Sequence, residues 1–75
     1  MDTNVYIEID PHQVNYINRI IESYEYLGIL TTLDAKRAVC VIHSTADTRE
    51  EVMEILGHLD VPVKFLDSGD VENLK

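Results

Sequence analysis

The five residues Ala38-Val39-Cys40-Val41-Ile42 are apolar without a break, and this run constrains the fold more than any other stretch. It is too short for a buried helix and reads, with His43, as a strand over 38–43. Strand side chains alternate between two faces, so a strand with no polar side must be covered on both. The run therefore belongs in the interior of a sheet.

The neighbouring segments say what kind of sheet. Val5, Ile7 and Ile9 alternate with Tyr6 and Glu8, the pattern of a strand with one buried face. Asp10, Pro11 and Gln13 then supply a helix cap, a first helical residue and a capping-box partner. Val14, Ile17, Ile20, Ile21 and Tyr24 fall within an arc of roughly 120° on that helix, with Asn15, Asn18, Glu22 and Glu25 on the other side. Gly28 is expected to end it. Ile29–Leu33 forms the next strand, and the short polar Asp34-Ala35-Lys36-Arg37 makes a hairpin to the strand over 38–43. Asp47 with Glu50 predicts a second capping box. It opens a helix that buries Val52, Ile55, Leu56 and Leu59, with Met53 at the margin and Glu50, Glu51 and Glu54 outward. A last strand runs from Pro62 to Leu66, where the proline favours an edge.

The order is βαββαβ. Two right-handed crossovers of this kind give an α+β, ferredoxin-like sandwich. Its four-stranded antiparallel sheet has the first and third strands central and both helices on one face. Residues 1–67 form this domain, and 68–75 are expected to be a frayed polar tail.

With helices on one face only, the alternation predicts Val5, Ile7, Ile9, Val39, Val41, Val63 and Phe65 beneath them. The opposite face would carry Tyr6, Glu8, Ala38, Cys40 and Ile42, with Leu30 and Thr32 or their neighbours from the second strand. Tyr6, Leu30, Cys40 and Ile42 make that face more apolar than a solvated one should be. Self-association, as a homodimer, is the expected consequence, through this open face or through the second strand's edge. A chain of 75 residues has a thin core of its own, and a second copy or a partner would cover what its helices leave bare.

Charge and cysteine count narrow the function. The chain carries 6 basic and 14 acidic residues, a net charge of −8. Nucleic-acid binding rests on clustered cations, and here the basic residues are scattered, so no nucleic-acid partner is expected. No run approaches the ~20 apolar residues of a membrane helix and no signal peptide is visible. With one cysteine, Cys40, the reading is a cytoplasmic protein without disulfides.

No catalytic or metal constellation emerges. Cys40 and His43 are three apart, which on a strand puts them on opposite faces. His12, His43 and His58 show no zinc-ligand spacing, and His58 suits a helix C-terminus. Ser44 has no orienting partner beyond His43 and no nucleophile elbow. The carboxylates spread over helix faces and the tail without calcium-loop order. An RNA-binding version of this fold would carry aromatics on the central strands. A copper chaperone would carry Cys-x-x-Cys, and an acylphosphatase a glycine-rich anion cradle with an arginine, where this chain has Asp10-Pro11-His12-Gln13. The protein is read as non-enzymatic, with no metal or cofactor. Two turns could meet a ligand: the Asp10-Pro11-His12 helix start, with free backbone N–H groups, and the Thr31, Thr32 and Asp34 region. Helix capping by Asp10 and ordinary strand propensity of the threonines explain the same residues without one.

Ile9-Asp10-Pro11, Tyr16-Ile17, Ile20-Ile21-Glu22-Ser23-Tyr24, Leu27-Gly28 and Thr32-Leu33-Asp34 resemble a group of short bacterial proteins classed as a domain of unknown function. The likeness runs from the first strand to the last, and it implies an ACT-like fold with no assigned activity. ACT domains pair through their sheets and often bind amino acids, and Asp10-Pro11 and Gly28-Ile29 look like the corresponding ACT segments. ACT ligand sites commonly have glycine where this chain has His12. What the ACT resemblance implies is a possible small carboxylate or amino-acid ligand, and Asp10, His12 and Gly28 are the candidate residues for it. The expected function is a homo-oligomeric module for small-ligand sensing or protein interaction. The alternative is an adaptor that docks another protein on the open sheet face and binds no ligand.

Overall fold

Ile7 stands directly opposite Cys40 across two antiparallel strands, and the architecture follows from that pairing. The computed structural model describes residues 3–24 and 27–72. Its elements are β1 (Val5–Glu8), a 3₁₀ turn (Pro11–Gln13), α1 (Val14–Ser23), β2 (Ile29–Asp34), β3 (Val39–His43), α2 (Arg49–Gly57), β4 (Lys64–Leu66) and α3 (Ser68–Val71). The fold is α+β, with a four-stranded antiparallel sheet in the order β2-β3-β1-β4. β3 and β1 are the central strands, so the apolar run lies inside the sheet.

The main core lies between the sheet and the pair α1 and α2. Val5, Ile7 and Ile9 from β1 and its end meet Ile17 and Ile21 of α1 and Val52 and Leu56 of α2. These are the positions that the helical spacing selects. Met53, Ile55, Leu59, Val61 and Val63 pack at the margin, whereas Tyr24 is exposed.

The third strand has the opposite phase to the one predicted. Ala38, Cys40 and Ile42 belong to the core under α1 and α2, while Val39 and Val41 face the other way. Pairing decides this: Val5 opposes Ile42 and Ile7 opposes Cys40, and directly opposed residues share a face. A run that is apolar at every position carries no phase of its own. The hairpin sets it through a register shift between Thr32 and Asp34 and a left-handed Ala38 with φ 52°.

The second face is closed by the segment expected to be a frayed tail. Val71 of α3 is completely buried in a cluster with Tyr6, Val39 and Val41, flanked by Leu33 and Leu66. The start of α3 is fixed by a reciprocal cap. The Asp67 carboxylate accepts the Asp70 N–H, and the Asp70 carboxylate accepts the Asp67 N–H at 2.8 Å. Residues 73–75, and Glu25 on α1's predicted outer side, lie outside the described residues.

Two helix boundaries also differ from expectation. α1 stops at Ser23, whose hydroxyl donates to the Ile20 carbonyl at 2.6 Å, so Gly28 does not end it. Gly28 adopts φ 153° where the chain enters β2, and a Cβ there would collide with the His43 carbonyl oxygen. α2 begins after Thr48 without a side-chain cap. A turn precedes it in which the Thr45 carbonyl accepts the N–H groups of Thr48 and Arg49, in place of an Asp47–Glu50 box.

Candidate functional site

Of the three residues expected to hold a ligand, Asp10 and His12 are together and Gly28 is not. The Asp10 carboxylate accepts the His12 backbone N–H at 2.8 Å, and its Oδ1 lies 3.1 Å from the His12 ring Nδ1. Chiefly that backbone bond holds the Asp10 carboxyl below the usual carboxylate range. The carboxylate thus fills the position an anion would take at this helix start, and both side chains lie out in solvent. Gly28 sits against His43, at the far end of β3 from Ala38, whose carbonyl accepts the Ile9 N–H. Four residues of strand lie between Ala38 and His43, five rises of roughly 3.3 Å, so the two places are roughly 17 Å apart.

The residues expected to form an association face are also divided. Tyr6 lies on the α3 side, buried with Val71. Cys40 and Ile42 are fully buried under α1 and α2, and Leu30 packs against that same core. The face over Tyr6, Val39 and Val41 is covered by α3, leaving a strip of Ile29, Thr31 and His43 beside β2. The His43 Nε2 and Thr31 hydroxyl are 3.1 Å apart there, and Ile29 is 71% exposed.

Nucleophile and metal chemistry find little to work with. Burial pushes the Cys40 thiol pKa up, with the Thr32 hydroxyl 3.9 Å away opposing the shift. His43 is on the opposite side of β3. The His58 ring Nδ1–H donates to the Glu54 carbonyl at 2.8 Å, closing the end of α2. Among the described residues no group of three His, Cys, Asp or Glu could hold a metal ion. No helix among them is long and apolar enough to cross a membrane.

Two concavities remain. A groove of about 620 Å³ runs between α1 and α2, with Ile20, Ile55 and Leu59 on its floor and Glu51, Glu54 and Tyr24 on its rim. Its acidic rim is unsuited to a carboxylate ligand. A smaller pocket, about 270 Å³, lies where the start of α2 meets the start of α3, lined by Asn4, Tyr6, Arg49, Leu66, Asp67 and Ser68. Arg49, the first residue of α2, is among the residues lining it. Its Nε is buried and has no hydrogen-bond partner. The two ion pairs among the described residues are Asp10 with His12 and Glu8 with Arg37, so Arg49 pairs with none of the described carboxylates. Glu8 by contrast engages Arg37 through both oxygens, at 3.2 and 3.4 Å, and keeps that guanidinium's pKa above its ordinary value.

Sequence reasoning passed over Arg49 and Val71, although both left signals. Arg49 is the one cation among five acids over residues 47–60. Asp67 and Asp70 have capping-box spacing directly before an apolar residue, a helix start inside what reads as a polar tail.

No curated protein and no solved structure shows significant similarity to the chain. A family match covers residues 7–63, from within β1 to just before β4. On that span, about three quarters of its length, the chain belongs to DUF4911, a domain of unknown function.

Proposed function

We propose that the protein is a non-enzymatic module of ferredoxin-like, ACT-like architecture that works as a homodimer joined along β2. Support for the architecture comes from the order β2-β3-β1-β4, antiparallel throughout, with α1 and α2 packed on one side. In this reading α3 is an addition to the βαββαβ plan.

The observation that carries the dimer is the difference between the sheet's two edges. Unpaired edge strands recruit other strands unless they are short, charged or interrupted by proline. β4 has all three protections: three residues, Lys64 on it and Pro62 just before it. β2 is six residues long and carries neither proline nor charge from Ile29 through Leu33. Exposed Ile29, Thr31 and Thr32 are good strand residues. A second copy related by a twofold axis would pair antiparallel with this edge and bury Ile29 on both sides. The register shift near Asp34 leaves the Ile29–Thr32 stretch regular.

Light scattering behind size exclusion tests this. At tens of micromolar, a concentration well above ordinary dimer dissociation constants, the wild type should run at twice its 8.6 kDa chain mass. Ile29→Lys places a charge on the edge without touching the core and should run at the chain mass. A wild-type monomer at that concentration, or a dimer unaffected by Ile29→Lys, would refute pairing through β2.

A further inference from the structure

The groove between α1 and α2 is walled by apolar side chains that the core does not use up. On α1, Tyr16, Ile20 and Tyr24 recur every four residues and flank the buried Ile17 and Ile21. Ile20 is half-buried, and Tyr16 and Tyr24 are 42% and 38% exposed. On the facing wall Ile55 and Leu59 are half-buried beside Val52 and Leu56. Backbone contacts hold α1 to β2 and α2 to β1 more closely than to each other, so the groove lies over the middle of the sheet. Its rim carries one sign of charge. Glu51 and Glu54 line it, and no lysine or arginine does so among the described residues. Residues 47–60 carry five acids against Arg49 alone, and Glu54 joins neither ion pair found among the described residues.

We propose that this groove docks a short cationic amphipathic helix of a partner protein. Its apolar side would rest on Ile20, Ile55 and Leu59, with its lysines or arginines against Glu51 and Glu54. Charge complementarity selects the partner, since opposed patches steer association and like-charged ones exclude it. A second copy of this chain is a poor occupant, because it brings a net charge of −8 and the same acidic helix face. The walls select the occupant's conformation. Helical walls bond their backbone groups internally and leave none for an extended peptide, whereas a helical occupant satisfies its own. Glu51 to Leu59 spans roughly 12 Å, the length of about two helical turns. An apolar stripe of four residues at i, i+3, i+4 and i+7 covers that length. The groove stands apart from the β2 edge, so this reading goes beyond dimerisation and does not depend on it.

Fluorescence anisotropy of the full chain with a labelled 14-residue peptide of leucine and lysine tests the assignment. The probe has its leucines on one helical face. Its controls are a peptide of the same composition with the leucines scattered, and spermine as a competitor. Saturable binding with a Kd of about 10–100 μM is expected, weakening as salt rises, with the scattered peptide at least about tenfold weaker. Glu51→Lys combined with Glu54→Lys should weaken the probe by about tenfold or more. Glu22→Lys combined with Glu50→Lys makes the same change in net charge and also removes one acid from the first turn of α2. That pair should cost less than about threefold, as distant charges are screened, and unchanged far-ultraviolet spectra would show that both variants fold. Absence of binding, equal binding of the scattered peptide, or equal losses in the two charge-reversed pairs would each overturn the proposal. Spermine displacing the probe at equal charge concentration, with the same dependence on Glu51 and Glu54, would assign the groove to small cations and overturn the helical partner.

Discussion

If α3 seals the second face of the sheet, shortening its one buried side chain should weaken the whole domain. Val71→Ala removes two methyl groups from a position with no solvent exposure, against Tyr6, Val39 and Val41. Transfer alone is about 0.8 kcal/mol for each buried carbon, or about 1.6 kcal/mol. The residual cavity raises that to about 2 kcal/mol. A ceiling applies, because α3 has only four residues. Once the loss exceeds the docking free energy of α3, the segment detaches and further loss stops. Urea unfolding followed by far-ultraviolet dichroism measures the change, and a domain of this size should lose about 10 °C in Tm for 2 kcal/mol. The chain has four tyrosines and no tryptophan, so tyrosine emission reports on Tyr6 beneath Val71. An unchanged denaturant slope means that α3 stays docked, and a reduced slope means that it has come away. A loss below about 0.5 kcal/mol, within the range of ordinary surface substitutions, would show that α3 does not cover the sheet.

Gly28→Ala should be among the most damaging single changes in the chain. It adds backbone strain at φ 153° to a collision with the His43 carbonyl, and Ile42 Cγ2 lies only 3.2 Å from the new atom, so a loss of about 2–4 kcal/mol in denaturant unfolding is expected. A near-neutral result would mean that β2 begins elsewhere. Cys40 should resist thiol reagents in the native state and react at once on unfolding, because burial raises its pKa. Its folded pKa lies above the unfolded value of about 8.5. The resulting stability is therefore fully present below that pH and is lost as pH climbs through the unfolded value toward the folded one. Cys40→Ser should flatten this alkaline loss, and an unchanged slope between pH 8 and 10 would assign it to another group.

What the sequence could reveal followed from local periodicity. Ile17 and Ile21, Val52 and Leu56, and Val5 with Ile7 are core residues because alternating polar neighbours fix which side they face. That information vanishes in Ala38-Val39-Cys40-Val41-Ile42, where both phases look alike. The phase is settled by pairing with β1 and by the shift at the hairpin, both long-range facts. Misreading it placed Cys40 and Ile42 on a surface they do not occupy. Asp10 and His12 lie apart from Gly28 for a different reason. Each residue is unusual for a local reason, a cap in one case and a tight backbone approach in the other, and local reasons do not bring residues together. Arg49 was legible as an odd charge but not as an unpaired one, since pairing depends on where the acids of other elements lie.

Completion of the second face from within the chain bears on how the protein would associate. A 75-residue chain with a doubly apolar strand can borrow cover from a second copy, and such a dimer would have no folded monomer. Here Val71 covers Tyr6, Val39 and Val41 from the same chain, so the core is whole in one copy. What is left over is backbone: the hydrogen-bonding groups on the outer side of β2, beside the exposed Ile29 side chain. Water can satisfy those groups, so separating two copies exposes little apolar surface beyond Ile29 and costs each copy no part of its core. The proposed association along β2 would accordingly be a reversible equilibrium between folded monomers. The groove between α1 and α2, over the middle of the sheet, would then be intact in either form.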